Sequence, residues 1–557
     1  MGYRCLSRSG GSGCWGLLMY TRQALLADVP RHLTWERYCG FLDLSTPAFM
    51  QIQRRRLTET LPALAKSGIG RTFLDRRNVS TVEQLRRVAP LTNFDDYRSF
   101  FQPLMSITLP EPPIFWAKTS RMNLDQAMIP YNQAAFEHLM DGSVAAFLLA
   151  TADGRGETRL EPQDRVLYNF PPSPYLSGML AQGLTALVRL RPVVDFDEAE
   201  ELDFQDKIAL GFERALRGGV DIVASMPSVL LKMGESFEQR SKGRSALSLL
   251  RNPRVAWRML AALLRSKREG RSMLPKDIWK LKGLVCWGTD TGVYRDQIRH
   301  YWGCDPYEFL AITEGGILAM QSWTREGMTF VPGTNFLEFI RESDALAWDG
   351  TGSSELTTCL LDEIEPGERY EVVITSCVGM PFLRYRTGVL VDVLATADEE
   401  AGIALPQVRP CGRVHDLIDI AGFTRLDEGT IAAAMRDAGL SPFTWTARRE
   451  YEGPDPVLRV YMERNGRDET DVVVALHRSL LDRDNYYRDL QEMLAIRPLR
   501  IAVVESGAFR AYASDRRARG VDLERQSVPH INATDEEIED LMLTSRALVE
   551  AAPTLVS

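Results

Sequence analysis

Histidine is scarce in this sequence and cysteines are not paired, which limits the metal chemistry open to it. The 557 residues include six histidines, none in an HxxxH pair, and eight cysteines without a CxxC pair. Zinc sites are built from closely spaced Cys and His ligands, so a zinc centre is not expected. Scattered cysteines indicate reduced thiols, mostly buried as small apolar residues, as in a cytoplasmic protein.

Long apolar runs and an excess of basic residues are also missing. No run approaches the ~18 uninterrupted apolar residues of a membrane-spanning helix. The formal net charge of −9 argues against a general nucleic-acid binder. The N-terminal pattern is not that of a signal peptide, because the short apolar patch GCWGLLMY is closely followed by Arg22. Residues 1–30, with SRSGGSG at 7–13, are instead predicted to be a flexible leader.

The composition is that of a folded protein with more than one domain. Hydrophobic residues make up 45% and charged residues 25% of the chain, and its length exceeds what one core usually supports. Short apolar runs alternate with helical patterns between about 110 and 410, which favours a sheet covered by helices on both faces. The runs are RVLYNF (165–170), VDIVAS (220–225), GLVCWG (283–288), YEFLAIT (307–313) and YEVVITS (370–376).

A domain boundary is predicted near PQVRPCGRVHD (406–416), where prolines and a glycine interrupt the pattern. Residues 31–410 then form a large α/β domain of mixed sheets flanked by helices. Residues 411–557 carry shorter strands and helices and form a small α+β domain.

The segment 240–280 is strongly basic, with twelve Lys or Arg and two acids, Glu269 and Asp277. Its amphipathic part, NPRVAWRMLAALLRSKR, is typical of a helix on an anionic membrane or an acidic partner. The simpler interpretation is a solvated helix docked on the core through Trp257, Leu260, Leu263 and Leu264. We favour the docked helix and keep a weak membrane-surface contact as the alternative.

Six blocks follow one another between about 90 and 530 and carry a family resemblance. They are GLVCWGTDTGVYRDQIRHYWG, EFLAITEGGILAMQSW, MTFVPGTNFLEFI, PGERYEVVITS, FLRYRTG and GRVHDLIDIAGFTRLDE. In this order they resemble the plant and bacterial auxin-responsive acyl-acid amido synthetases, a branch of the adenylate-forming superfamily. The resemblance implies that ATP and Mg²⁺ convert a carboxylic acid to an acyl-adenylate, which an amine, usually an amino acid, then attacks. In sister branches coenzyme A is the acceptor, and a mobile small domain serves both half-reactions.

The family's Thr/Ser–Glu pair is present in AITEGG. The resemblance implies that Thr313 hydrogen-bonds phosphate and that Glu314 carries Mg²⁺, making these two the catalytic pair. They follow a predicted buried strand, and open α/β sheets bind ligands at the carboxyl ends of their strands. The alternative is an ordinary strand-end turn with Glu314 as a surface charge.

The family's phosphate loop is altered in WAKTSRMNLDQAMIPYN (116–132). Thr119 and Ser120 remain, but Arg121 and Met122 replace glycines that let backbone N–H groups turn inward. Lys118 and Arg121 still supply positive charge to a phosphate. Without the resemblance, this segment is better interpreted as a connection between two strands.

The ribose contact of the family is also changed. Val389 stands where the family pattern has a ribose-binding aspartate, and valine cannot accept hydrogen bonds. Asp392 is a poor substitute, because it falls on the opposite face of a regular strand. Arg386 and Arg413 are candidate phosphate or ribose contacts, with salt-bridged or solvent-facing arginine as the alternative.

The mobile lysine of the family's small domain is also missing. Ser527 holds its place before Pro529, and Arg525 or Arg519 is the available replacement. The last lysine of the chain is Lys282.

The resemblance also suggests an acyl pocket. The segments expected to form its walls are YNFPPSPYLSGML, SMPSVL and the turn after GLVCWG. The alternative for all of them is that they belong to the ordinary hydrophobic core. The candidate residues are Tyr175, Ser177, Met226, Pro227, Trp287, Gly288 and Thr289.

Three functions remain open from the sequence. The first is a ligase that joins a small carboxylic acid to an amine or amino acid with ATP and Mg²⁺. The second is a non-catalytic descendant that binds an acyl group or acts as a scaffold, because three altered elements all belong to the nucleotide side. The third is an acyl-CoA ligase whose basic segment 240–280 meets the coenzyme's phosphates.

Overall fold

The protein is described here from a computed structural model with two compact units. The larger unit consists mainly of residues up to Pro410, and the smaller one mainly of Cys411–Ser557. The leader predicted for 1–30 lies almost wholly outside the described residues. These are 29–74, 77, 79–101, 108–118, 128–169, 175–202, 204–242, 253–287, 291–347, 356–414, 417–420, 424–440, 444–452, 455–464, 466–484, 487–488, 498–519, 521 and 526–551.

Helices flank the sheet of the larger unit. They are α1 (Arg31–Cys39), α2 (Thr46–Lys66), α3 (Gly68–Phe73), α4 (Val82–Val88), α5 (Gln133–Ala150), α6 (Leu176–Val188), α7 (Phe196–Glu200), α8 (Phe204–Gly218), α9 (Pro227–Lys242), α10 (Pro253–Arg268), α11 (Pro275–Ile278), α12 (Thr291–Trp302) and α13 (Glu342–Ala347). Helix α9 begins at Pro227, because a proline at the first helical position has no hydrogen bond to lose and its φ already suits the helix.

A sheet of eleven strands runs through the described part of the larger unit in the order β10-β11-β12-β13-β9-β8-β7-β6-β5-β3-β4. Its strands are β3 (Arg165–Asn169), β4 (Arg191–Pro192), β5 (Ile222–Ser225), β6 (Gly283–Trp287), β7 (Tyr307–Ile312), β8 (Gly316–Gln321), β9 (Met328–Phe330), β10 (Asn335–Arg341), β11 (Arg369–Ser376), β12 (Tyr385–Ala395) and β13 (Gln407–Arg413). The hairpin β1 (Phe115–Lys118) and β2 (Met128–Tyr131) lies apart from this sheet. The predicted α/β fold is confirmed, and all five apolar runs are strands.

Four neighbouring strands, β3, β5, β6 and β7, run parallel. Their carboxyl ends therefore meet at one edge of the sheet, which we call the carboxyl edge. Strand β8 turns back antiparallel to β7, with Ile312 paired to Gly316. Open α/β sheets bind their ligands at such an edge, so the fold itself selects this place for a site.

The basic segment docks on the core, but not through the residues predicted for it. Met259 and Ala262 of α10 are buried in the helix-covered core, whereas Leu260, Leu263 and Leu264 are exposed by 42–53%. A helix in contact with a core along one side buries residues three and four apart, and here that side is set by Met259 and Ala262. The side chain of Trp257 lies outside the described ones. Across the described ranges no helix is long and apolar enough to cross a bilayer, and a membrane-surface contact of α10 remains a prediction.

A buried ion pair connects β10 to the segment that enters β12. The guanidinium of Arg384 donates from Nε and Nη2 to both carboxylate oxygens of Glu338, each at 3.0 Å. It also donates to the hydroxyl of Thr358 and to the backbone carbonyls of Arg86 and Ala89. Arg384 has φ of 42°, an unfavourable backbone for a long side chain. These bonds offset that strain and the cost of burying the charge.

The smaller unit has its own core. It contains the hairpin β14 (Ile418–Ile420) and β15 (Thr424–Leu426), and a sheet of β16 (Trp445–Glu452), β17 (Asp455–Glu463) and β18 (Leu499–Val504). Strands β17 and β18 are parallel and β16 is antiparallel to β17. Its helices are α14 (Glu428–Asp437), α15 (Glu469–Arg483), α16 (Ala508–Ala518) and α17 (Asp535–Ala551).

The docking of α10 makes a stability prediction. Met259→Ala should lower the free energy of unfolding by about 2 kcal/mol or more, because it removes a buried side chain from the core. Leu264→Ala on the same helix should change it by less than about 0.5 kcal/mol, because Leu264 is exposed. Urea denaturation followed by circular dichroism measures both, and equal losses would contradict this docking.

The buried pair makes a second prediction. Glu338→Gln should cost about 3–5 kcal/mol of stability, because it leaves the guanidinium of Arg384 buried without its counter-charge. The matched control is Glu365→Gln, which breaks an ion pair with Arg341 at 3.0 Å where the glutamate is 63% exposed. That change should cost less than about 1 kcal/mol. Similar denaturation midpoints for the two variants would exclude a stabilising role of the buried pair.

Candidate active site

The turn between β7 and β8 is held by three side chains from other strands. The hydroxyl of Tyr131 donates to the backbone carbonyl of Thr313 at 2.6 Å. The hydroxyl of Tyr385 donates to Oε1 of Glu314 at 2.9 Å. The Nδ2 of Asn335 donates to the carbonyl of the next residue, Gly315, at 2.7 Å. Three consecutive residues of the turn are therefore fixed from β2, β12 and β10.

Each of the two glycines of the turn is favoured at its position for a different physical reason. Gly316 has φ of 66°, which a residue with a side chain rarely adopts. A Cβ on Gly315 would come within 2.8 Å of the Cδ1 of Ile374, so that side chain would have to move to admit one. The TEGG sequence is thus what allows the chain to reverse tightly between two buried strands.

Glu314 lies inside the protein rather than on its surface, with 3% of the residue exposed. The surface-charge alternative for this residue is therefore wrong. Burial and the charge of the Glu314 carboxylate raise the pKa of Tyr131 well above its ordinary value, so the Tyr131 hydroxyl stays protonated and remains a donor. A carboxylate oriented in this way suits Mg²⁺, which proteins commonly bind through one or two carboxylates while phosphates and water complete the shell. In the described part of the chain no group of three or more His, Cys, Asp or Glu forms a metal cage.

Arg386, a candidate phosphate or ribose contact, is part of an ion pair. Its Nε and Nη2 donate to the carboxylate of Glu371 on β11, the latter at 2.7 Å, and both side chains are buried. Consecutive residues of a strand point to opposite faces, so Tyr385 and Arg386 serve opposite faces of β12. The salt-bridged alternative describes Arg386 in this structure.

The residues predicted for the phosphate loop lie mostly outside the described part of the chain. Thr119, Ser120 and Arg121 lie outside the described residues, as does the side chain of Lys118. The strands on either side of them, β1 and β2, pair antiparallel to each other. Because β2 ends at the tyrosine that bonds Thr313, this hairpin is fixed to the β7–β8 turn.

The position of the missing ribose aspartate is apolar and buried. Val389 is 1% exposed on β12. The carboxylate of Asp392 accepts from Arg369 at 2.7 Å and from Arg409 at 3.4 Å. Asp392 is therefore engaged elsewhere, in agreement with its expected unsuitability for ribose.

The remaining candidates on this side belong to the smaller unit. Arg413 ends β13 and is half-buried. Ser527 is exposed, Arg519 forms an ion pair with Asp515 at 2.7 Å, and Arg525 lies outside the described residues. No replacement for the family's lysine is assigned from these positions.

The described acyl-pocket candidates follow strands that end at the carboxyl edge. Tyr175 precedes α6 and Ser177 lies in its first turn, after β3. Met226 and Pro227 connect β5 to α9, and Trp287 ends β6. Gly288, Thr289 and the Trp287 side chain lie outside the described part. The topology thus aligns these positions with Thr313 and Glu314, which follow the adjacent strand β7.

Asn169 at the end of β3 was not predicted from the sequence. It is fully buried and pairs in register with Ser225 of β5. Its Nδ2 donates to the Sδ of Met233 on α9 at 3.2 Å, whereas its Oδ1 has no hydrogen-bond partner among the described residues. A polar residue that closes the apolar run RVLY just before the proline-rich sequence FPPSP was the available signal.

Comparison with known proteins supports the family. Residues 328–403, which span β9 to β12, match the GH3 family central domain. No curated protein sequence matches the chain at a significant level.

Solved structures share the fold over nearly the whole chain. AtGH3.15 acyl acid amido synthetase, in complex with 2,4-DB, superposes with a TM-score of 0.65 at 17% identity, covering 93% of this chain and 98% of that chain. A 2-hydroxyisobutyryl-CoA ligase in the postadenylation state, in complex with R3-HIB-AMP, gives 0.56 at 14% identity, covering 94% and 97%. At such identities the likeness shows a common fold. The match of residues 328–403 to the GH3 family central domain, inside that common fold, supports the resemblance predicted from the sequence.

Proposed function

We propose that this protein is an adenylate-forming ligase that activates a carboxylic acid with ATP and Mg²⁺ and transfers the acyl group to an amine, such as an amino acid. The observation that carries the proposal is the Thr313–Glu314 turn, in which Glu314 is buried and which the hydroxyls of Tyr131 and Tyr385 hold at the carboxyl edge. An ordinary strand-end turn has no need of two buried tyrosines that fix its carbonyl and its carboxylate. A metal ligand must be held in place in this way before its substrate arrives.

The residues around the turn have separate tasks in this proposal. Glu314 would hold Mg²⁺, which neutralises phosphate charge when bound. Thr313 would donate its hydroxyl to a phosphate oxygen. Tyr385 is a positioning residue that orients the Glu314 carboxylate without neutralising it, and Tyr131 fixes the turn through its backbone.

The acid would bind beside the turn, along the carboxyl edge. Tyr175, Ser177, Met226 and Pro227 follow β3 and β5, the strands on the far side of β6 from β7. Such a placement lets the carboxylate reach the phosphate while the acyl chain extends toward β3. The proposed partners are therefore a small carboxylic acid and an amine. We also propose that the protein is cytoplasmic.

A second candidate function is a non-catalytic acyl-binding protein. Two observations favour it: Val389 is buried where the family has its ribose aspartate, and Asp392 is engaged by Arg369 and Arg409. Both would weaken nucleotide binding, and neither involves the residues proposed to bind the acid. An acyl-CoA ligase is the third candidate and differs from the first only in its acceptor.

Exchange of pyrophosphate into ATP tests the first candidate. A panel of carboxylic acids should support Mg²⁺-dependent exchange, and Glu314→Gln should abolish it, because the metal ligand loses its charge. The control is Glu308→Gln on β7, another buried glutamate, which is paired with Arg295 at 3.1 Å and should retain exchange. Unchanged exchange in Glu314→Gln would remove this residue from the site.

Thermal shift distinguishes the candidates independently of turnover. Mg-ATP at ~100 times its Kd should stabilise a working nucleotide site by about 2.7 kcal/mol. The absence of both a shift and exchange, with an acid still stabilising the protein, would leave the non-catalytic acyl-binding protein.

The role of Tyr385 gives a further prediction. Tyr385→Phe should raise the Mg²⁺ concentration needed for half-maximal exchange by about tenfold, because one hydrogen bond to a charged group is worth about 1.5 kcal/mol or more. Tyr307→Phe is the control, since that buried hydroxyl donates to the carbonyl of Gln321 at 3.0 Å, away from the turn. Equal Mg²⁺ dependence in the two variants would assign Tyr385 a purely structural role.

A further inference from the structure

The amide of Asn169 is a buried polar group that the fold leaves half satisfied. The residue is 0% exposed, and its Nδ2 is engaged by the thioether of Met233 at 3.2 Å. Its Oδ1 has no hydrogen-bond partner in the described part of the protein. An acceptor left unsatisfied in a protein interior costs about 1–3 kcal/mol. Most buried polar groups in native proteins have a hydrogen-bond partner, and each exception calls for an explanation, which a bound ligand can supply.

The location of this amide connects it with the acyl pocket. Asn169 ends β3, and its register partner Ser225 ends β5, directly before Met226 and Pro227. Tyr175 and Ser177 follow it along the chain. Met233, the neighbour of its Nδ2, belongs to α9, the helix that begins at Pro227. The unsatisfied oxygen therefore lies among the same elements that carry the candidate acyl-binding residues.

The distance from the turn sets the position of a matching group on the ligand. Strand β3 is separated from β7 by β5 and β6, which is three strand spacings or roughly 14 Å. A carboxylate next to Thr313 and a group next to Asn169 would thus lie at opposite ends of one acid, on the order of 10 Å apart.

We propose that Asn169 Oδ1 accepts a hydrogen bond from an O–H or N–H at the far end of the substrate acid. The substrate class is a carboxylic acid with a remote hydroxyl or amino group, such as a phenolic or ω-hydroxy acid. This assignment rests on the proposed function for its reaction, although binding of the acid alone also reports on it. Sites built to hydrogen-bond a substrate reject analogues that lack the group, because the protein's own polar atom is then left unpaired.

The test compares acids that differ only in the remote donor. 3-(4-Hydroxyphenyl)propionate is paired with 3-phenylpropionate, and 8-hydroxyoctanoate and 8-aminooctanoate with octanoate. Wild-type protein should bind the donor-bearing member of at least one set about 10- to 100-fold more tightly, by thermal shift without ATP and by pyrophosphate exchange with it. Asn169→Leu should lose that preference and should still bind the apolar member of each set. Asn169→Asp, which retains acceptor oxygens, should keep the preference and increase it for the amine.

The stability of Asn169→Leu provides an independent reading. Replacing an unsatisfied amide by an apolar side chain of similar size should leave the melting temperature unchanged or raise it. A large drop would mean that the amide is fully satisfied inside the protein, which contradicts the proposal. If Asn169→Leu does not fold, the preference for donor-bearing acids is compared between wild type and Asn169→Asp, and that comparison tests the proposal.

The outcomes separate this inference from the proposed function. Donor-dependent thermal shifts without any exchange would support the role of Asn169 and refute the ligase. Exchange without discrimination between the matched acids would support the ligase and overturn the role of Asn169. A preference that survives in Asn169→Leu, or the absence of any shift with the donor-bearing acids, would also overturn it.

Discussion

Three consecutive residues of the RYR segment each bind a buried glutamate, and the arrangement of the site depends on them. Arg384 pairs with Glu338 on β10, and Arg386 pairs with Glu371 on β11. Tyr385 donates to Glu314 in the turn after β7. A buried carboxylate is costly unless its charge is compensated or hydrogen-bonded. One short segment therefore fixes the two strands at one end of the sheet and the candidate metal ligand at its centre.

The two kinds of donor in this segment have different chemical consequences. An arginine neutralises the carboxylate it binds, so Glu338 and Glu371 become structural ion pairs and hold their strands in register. A tyrosine hydroxyl orients a carboxylate but leaves its charge in place. The alternation of a strand brings both kinds of donor into one run of residues, because Tyr385 and Arg386 point to opposite faces. The same three residues can therefore stabilise the sheet and prepare the turn for a cation.

The strands and the position of the turn could be predicted from the sequence, because apolar runs and a glycine-rich reversal are local signals. The partners of the arginines could not, since Glu338 and Glu371 are brought to Arg384 and Arg386 only by the pairing of strands distant in sequence. A single acid inside an apolar strand, as in NFLEFI and YEVVITS, does indicate a buried cation nearby. The predicted docking face of helix α10 was wrong for a related reason. Several leucines suggested that face, but the side of the helix that packs on the core carries Met259 and Ala262.

The two halves of the candidate site differ in what holds them. Thr313, Glu314 and Asn169 lie at the ends of buried parallel strands, where the sheet sets their positions and a substitution is costly to packing. The position proposed for the ribose contact, by contrast, carries an apolar residue, Val389, which is buried on β12. Sites built on the strands of a packed sheet are held more precisely than sites built on loops. The arrangement of the candidate acid side therefore follows from the sheet itself, whereas the orientation of the Glu314 carboxylate by Tyr385 is the observation that bears on the proposed adenylation.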